Sequence, residues 1–504
     1  MTAPSRPFPA VELTPAVSRA EHLFFRWIFP ALLAVIFLVY ATYRQRYIGA
    51  TDFYGYYQQA ELLKHGHVFL ATELPAEQFP AIVPFGYVLM GSHVVPQYTP
   101  GFPLLLALGS FAGLTYFVTP VIGLVSCLLI FFLIRDFTDR RVAAVFTLAW
   151  AFLPIVVFGS TMLMSDLVAA TAIMGAYFAY RRGQLLLSAW VLGFSFAVRP
   201  TNVLFFVVFL IPLARDRRLI RYGLYLVAPV ALYAVYNYFI YGNPLRTGYS
   251  DIRTDLTSEV FTQHFGFYLW YTLAQFTPVI LVLAVWGLRP FSLEKLFQVL
   301  WFAVFLFFYC FWRSGGDRWW WTRFLLPGYP PLFLFGAIGF ARLRDQWRSR
   351  AVNSAGPDRR VILLFAAVAV LPVWQVAFGR SQHDLWNYNK GHSYHDVVLD
   401  VAAKVPARSF VGSIEFSGAF NTYTSLTGFI SAYDNAPDVV REAFRQKREV
   451  YVLIEPWNLT HPDVLRLLKQ FSIEQVAEIS EPAWSHMPLY RLRTPDASPP
   501  VARP

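Results

Sequence analysis

Apolar runs of the length needed to cross a bilayer recur along most of this chain, and the Arg-rich segments between them alternate with Arg-poor ones. Crossing the hydrocarbon core takes about 20 predominantly apolar residues in a helix. On that criterion about eleven spans are predicted, near 24–42, 118–135, 142–159, 166–181, 184–198, 200–214, 219–240, 268–288, 295–312, 324–341 and 361–379. The basic clusters are Arg135, Arg140 and Arg141; Arg181 and Arg182; Arg215, Arg217, Arg218 and Arg221; Arg289 and Lys295; and Arg342 through Arg360. With these spans all five fall on the side of the N-terminus, which the positive-inside rule makes cytoplasmic. Gly101 to Tyr116 is apolar too. Counted as a span, it would move every later cluster to the other side. It is therefore predicted to lie at the outer surface or dip part-way, bordering a cavity.

Composition agrees: 56% of the 504 residues are hydrophobic and 14% charged, against about 25% charged in soluble domains. The net charge of +11 sits in short Arg clusters between apolar runs, so it sets orientation and does not point to nucleic acid. Cys127 and Cys310 both lie inside apolar runs, which leaves no disulfide framework. No small-residue cleavage pattern follows the first run, so it is expected to stay as a span.

The expected organisation is an α-helical polytopic membrane protein with a small C-terminal extracytoplasmic α/β domain. Residues 1–23 form a cytoplasmic tail, and residues 24–379 the transmembrane domain, with a long first outer loop over 43–100. Residues 380–494 form the α/β domain, where helix-like runs (395–404, 462–471) alternate with strand-like ones (409–415, 449–454, 488–492). The Pro/Ala-rich residues 495–504 are expected to be disordered.

The predicted outer segments carry the candidate chemistry. Asp52 stands among aromatics in Thr51-Asp52-Phe53-Tyr54-Gly55-Tyr56-Tyr57, and Tyr98-Thr99-Pro100-Gly101 turns into the apolar helix. Ser165-Asp166 opens a span, Arg199-Pro200-Thr201 caps a short hairpin, and Gly242-Asn243-Pro244-Leu245 follows a long helix. Gly315-Gly316 and a Trp run lead into Arg323-Phe324-Leu325-Leu326-Pro327. Each residue has a plain alternative: Asp166 as a first-turn acid favoured by the helix dipole, Arg323 as a snorkelling interface cation, the Trp run as an aromatic belt. Together, two carboxylates and two guanidiniums on one surface suit a different job. Carboxylates accept a hydroxyl proton, guanidiniums grip phosphate through forked bonds, and aromatics offer flat faces to a sugar or a lipid tail. His383, Asp384, His392, His395 and Asp396 are metal-ligand types, but their spacing matches no closed zinc site and a hydrated linker is expected there.

These motifs, in this order over most of residues 24–341, resemble the polyprenyl-phosphate-dependent membrane glycosyltransferases of the GT-C superfamily, in particular their protein O-mannosyltransferase-like bacterial branch. The resemblance implies an inverting transfer of a sugar from a polyprenyl-phosphate donor to a glycan, lipid or protein acceptor outside the inner membrane. It implies Asp52 as general base, Asp166 as a second acid that orients the acceptor, and Arg323 and Arg199 as donor-phosphate ligands. Tyr54, Tyr57, Tyr98, Trp312 and Trp320 would line the pocket. Where the mannosyltransferases carry adjacent acids, Phe53 follows Asp52 here. No D-x-D stands near Asp166, so no obligatory metal or cofactor is expected. A transporter or flippase of lipid-linked glycans, or a non-catalytic subunit of the same fold, would use the same outer cavity without chemistry. The first should show paired halves with broken helices, and the second should leave donor labelling to a partner.

Overall fold

The structure, a computed structural model, describes residues 19–49, 51–249, 252–350, 363, 365–368, 370–381, 385–387, 392–481 and 485–494. His383, Asp384 and the tail over 495–504 lie outside the described residues, as does the N-terminal segment before Arg19. Among the described residues, five helices are long and apolar enough to cross a membrane, or up to seven when each of two bent pairs counts as one span. The chain is thus a polytopic membrane protein.

The first apolar stretch ends as α1 (Phe29–Thr42), and α2 (Thr51–Lys64) follows after residues 43–50. The expected long outer loop is therefore partly ordered secondary structure. It holds α2 and a hairpin of β1 (Tyr87–Met90) and β2 (His93–Pro96). The hairpin turn is Gly91-Ser92 with Gly91 at φ 59°, a Gly-first two-residue turn that suits strand twist. Next comes α3 (Gly101–Phe111), whose 11 residues reach only about 16 Å, so it cannot span. This is the short, non-spanning helix expected from the sequence.

The central bundle runs through α4 (Val118–Arg135), α5 (Arg140–Ala151), α6 (Pro154–Thr161), α7 (Ser165–Arg181), α8 (Leu185–Val198), α9 (Val203–Arg215) and α10 (Leu219–Tyr241). It is completed by α11 (Phe261–Gly287), α12 (Leu293–Cys310), α13 (Pro330–Arg350) and α14 (Leu371–Ser381). Breaks come where proline demands them. The α5–α6 pair bends by 65° before Pro154, and the 3₁₀ segment Trp319–Gly328 meets α13 at 74° before Pro330. Inside α11, Thr277-Pro278 kinks the helix. Pro278 has no N–H to give Ala274, and Trp374 Nε1 supplies that bond instead at 2.9 Å. The side-chain oxygen of Gln275 also accepts from Ile155 N at the start of α6. Freed backbone groups at membrane depth are thus satisfied by protein, as they must be.

Ion pairs tie one face of the bundle together: Glu21 with Arg141, Asp136 with Arg182, Glu294 with Arg181, and Asp139 with Arg344. The basic segments that the sequence put on one side therefore share one side. The opposite face carries α2, the hairpin and the C-terminal domain.

That domain begins with α15 (His392–Lys404) and has a five-stranded sheet, ordered β4-β3-β5-β7-β6. The strands are β3 (Phe410–Ser413), β4 (Thr427–Ile430), β5 (Val450–Leu453), β6 (Ser472–Glu481) and β7 (Ser485–Arg493). β3 pairs in parallel with both β4 and β5, while β7 runs antiparallel to β5 and β6. Helices α16 (Ser417–Tyr423), α17 (Ala436–Arg445) and α18 (Pro462–Lys469) complete it. The parallel strands are buried along their whole length, as crossover helices require. The sequence reading missed β4, β6, α16 and α17.

The domain sits directly on α2. A Cβ on Gly418 would fall 2.6 Å from the Tyr54 ring, so helix and ring meet with no space between them. The Tyr423 hydroxyl accepts from Ile48 N at 2.7 Å.

Candidate active site

Four charged residues from four separate segments meet on the face that carries the C-terminal domain. Asp52 comes from the first turn of α2, Asp166 from the first turn of α7, Arg199 from the residue that ends α8, and Arg323 from the 3₁₀ segment before α13. Arg323 Nη2 donates to Asp52 Oδ2 at 3.1 Å, and its Nε lies 3.9 Å from Asp166 Oδ2. Arg199 Nη1 is hydrogen-bonded to Asp166 Oδ1. Tyr98 Oη donates to Asp52 Oδ1 at 2.6 Å. The charges balance, which is how a buried ionic group survives. The separate alternatives for Asp166 and Arg323 no longer suffice: Asp166 is 3% exposed and Arg323 6%.

Aromatic rings enclose the cations. The Arg323 guanidinium lies over Trp320 at 4.7 Å and Trp321 at 5.0 Å, and that of Arg199 over Phe324 at 4.8 Å. Such contacts strengthen when water is excluded. The buried Nε of Arg323 has no hydrogen-bond acceptor.

The motif turns explain how these parts are held. Thr99 Oγ1 donates to Val198 O at 2.9 Å, just before Arg199. Gly101 lies so close to the same helix end that a Cβ would sit 2.6 Å from Val198 N. The Tyr98 turn and the Arg199 turn are therefore one joint. Gly101→Ala forces backbone apart there, at a typical cost of about 1–3 kcal/mol. It is expected to lower the melting temperature in detergent and to reduce turnover together, which thermal unfolding and rate measurements on one preparation check.

The aromatic assignments divide. Tyr98 and Trp320 are in the cluster. Tyr54 faces Gly418 of the C-terminal domain, Tyr57 stacks on Tyr116 at 6.1 Å, and Trp312 packs on Phe308 and Tyr309. The tyrosine of α2 that joins the cluster is Tyr56, one helical turn beyond Asp52, as i,i+4 spacing dictates. Its ring lies 4.4 Å from Tyr98, and its hydroxyl bonds Ser165 Oγ at 2.9 Å. Tyr249 also approaches, with its ring 6.1 Å from that of Tyr98. Gly242-Asn243-Pro244-Leu245 is a helix stop: Gly242 caps α10 at φ 72°, and Asn243 Oδ1 accepts from Leu245 N. Gly315 and Gly316, at φ 115° and 87°, turn the chain into the Trp run. Among the described residues, no group of three or more His, Cys, Asp or Glu is placed to hold a metal ion.

Neither family models nor curated protein sequences match the chain. Solved structures do. ArnT from Cupriavidus metallidurans bound to undecaprenyl phosphate aligns over 93% of this chain and 98% of its own, with TM-score 0.62 and 14% identity. The Archaeoglobus fulgidus oligosaccharyltransferase aligns over 95% of this chain and 76% of its own, with TM-score 0.54 and 11% identity. The arabinofuranosyltransferase AftD from Mycobacteria aligns over 92% of this chain and 41% of its own, with TM-score 0.54 and 11% identity. They do not distinguish the O-mannosyltransferase-like branch. Over nearly its whole length, the chain shares the fold of these structures, in keeping with the fold that the resemblance to the GT-C superfamily implies.

Proposed function

We propose that the protein is an inverting glycosyltransferase that moves a sugar from a polyprenyl-phosphate donor to an acceptor hydroxyl at the extracytoplasmic face. The observation that carries this reading is the buried Arg323 guanidinium, which bridges Asp52 and Asp166 while its Nε lacks an acceptor. A buried donor without a partner is costly, and a phosphate oxygen would satisfy it. The structural neighbours support the donor class. The Cupriavidus protein binds undecaprenyl phosphate, and the archaeal oligosaccharyltransferase forms a complex with an inhibitory peptide and a dolichol-phosphate.

In this reading the donor phosphate takes its place at Arg323 and Arg199, with the lipid tail in the apolar bundle. A phosphate oxygen accepts from the open Nε of Arg323, while Asp52 Oδ2 stays on Nη2 and keeps a second lone pair to accept a proton. The acceptor oxygen attacks the anomeric carbon from the face opposite the phosphate. Its proton passes to Asp52, the bond from anomeric carbon to phosphate oxygen breaks, and polyprenyl phosphate departs with the electron pair. Negative charge grows on that phosphate, so cations already in place lower the barrier. Asp166 holds Arg199 on station. Tyr98 fixes the carboxylate of Asp52.

The test is product identification: mass spectra after the purified protein is incubated with a panel of polyprenyl-phosphate sugars and acceptors. A new glycosidic bond supports the reading. Movement of the lipid-linked sugar across a vesicle with no new bond replaces it with transport. Because guanidiniums supply the positive charge and both carboxylates are paired to them, a chelator is expected to leave the transfer rate unchanged. A rate that collapses in EDTA and returns with a divalent ion would contradict this assignment of charge.

A further inference from the structure

The C-terminal domain brings a carboxylate of its own to this site. In the sheet, the chain leaves β3 for β4 on one side and returns to β5 on the other, so β3 and β5 flank a topological switch point. Ligands of open α/β sheets bind in the crevice beyond the C-terminal ends of such strands. Two glutamates stand there. Glu455 follows β5 and is 1% exposed. Its Oε1 accepts from Ser413 Oγ at 2.6 Å and from Ile414 N and Glu415 N, both at 2.9 Å. It fixes the turn that follows β3. Glu415 is the residue that this turn presents, half-buried, two residues before α16. Among the described residues no hydrogen bond or ion pair reaches its carboxylate. α16 is the helix that rests on Tyr54, two residues from Asp52. Glu415 lies within electrostatic reach of Glu455 at the end of β5 and of Asp52 on α2.

Charge is therefore divided across the site. Arg323 and Arg199 lie on the bundle side against Trp320, Trp321 and Phe324, while Glu415 stands on the turn before α16, the helix whose Gly418 and Tyr423 meet Tyr54 and Ile48 on either side of Asp52 in the sequence.

Resting on the glycosyltransferase reading above, we propose that Glu415 is the acceptor-recognising residue. Its carboxylate receives a hydroxyl or amino group of the acceptor opposite Asp52 and disfavours acceptors with an anionic group beside the reacting hydroxyl. The acceptor class is neutral or cationic at that point. Burial, Glu455 and Asp52 push the Glu415 carboxyl up to about 7. Below that pH it is protonated and can donate a hydrogen bond. Above it the residue is anionic and discriminates by charge.

The experiment uses the full-length protein with a polyprenyl-phosphate sugar donor, following donor turnover. Octyl glucoside, its 6-amino-6-deoxy form and its 6-phosphate serve as acceptors or competitors. The readout is the ratio of half-saturating concentrations, phosphate form over amino form, taken within each variant so that a general loss of rate divides out. The wild-type ratio is expected to be about tenfold or more at pH 8, since like charges set together disfavour binding. It should shrink as pH falls through 7. Glu415→Gln should bring it close to unity at every pH, and Glu415→Asp should restore part of it. A wild-type ratio near unity, or a Glu415→Gln ratio equal to wild type, overturns the assignment. So does loss of donor turnover in both Glu415→Gln and Glu415→Asp, which would make Glu415 a structural residue. Absence of donor turnover in the wild type would instead remove the glycosyltransferase reading itself.

Discussion

Asp52→Asn is expected to abolish nearly all sugar transfer while the protein still folds and inserts. General-base catalysis contributes about 10²–10⁴ in rate, and a carboxamide cannot take the acceptor proton. The site can accommodate the new group. Asp52 accepts from Arg323 on one oxygen and from Tyr98 on the other. An Asn side chain keeps its oxygen for Arg323 and turns its NH₂ toward Tyr98, whose hydroxyl can accept as well as donate. The fall should therefore appear in kcat, with the donor KM little changed and the melting temperature in detergent close to wild type. Initial rates on matched preparations decide it. Wild-type turnover in Asp52→Asn would remove the base from the mechanism.

Four charged residues could be chosen from the sequence because charge is expensive beside apolar runs, and so each charge there is conspicuous. Asp52, Asp166, Arg199 and Arg323 do meet, although as many as 271 positions separate the partners of one ion pair. That they share one face of the bundle, away from the ion-paired Arg segments, followed from the Arg clusters, whose alternation a sequence displays openly. The aromatic neighbours were harder to read. Thr51–Lys64 looks like loop because it joins a glycine and several tyrosines directly to a span and has no clear apolar face. As a helix it brings Tyr56 to Asp52 and turns Tyr54 and Tyr57 elsewhere. The hairpin was visible in principle, since Gly91-Ser92 separates two short apolar runs. Glu415 and Tyr249 had no local signal at all. Their relation to Asp52 exists only after the C-terminal domain and the loop beyond α10 have docked.

Arg323→Met is expected to cost about 10²–10³ in kcat/KM for the donor, the range seen when a preorganised group facing developing charge is removed. The guanidinium has two duties: Nη2 serves Asp52 while Nε approaches Asp166 and is left open for a phosphate oxygen. Methionine keeps much of the packing against Trp320 and Trp321 and removes both duties. Arg323→Lys keeps the charge but has a single ammonium in place of a planar fork. It cannot span Asp52 and phosphate in the same geometry, so it should fall between wild type and Met. Two measurements separate a phosphate ligand from a structural cation. Inhibition by free polyprenyl phosphate should weaken in the order wild type, Lys, Met. The Asp52→Asn/Arg323→Met double variant should lose less than the product of the single losses, because groups that act as a unit are not additive. If product inhibition were unchanged while rate fell, Arg323 would be holding Asp52 in place and the leaving phosphate would be bound elsewhere.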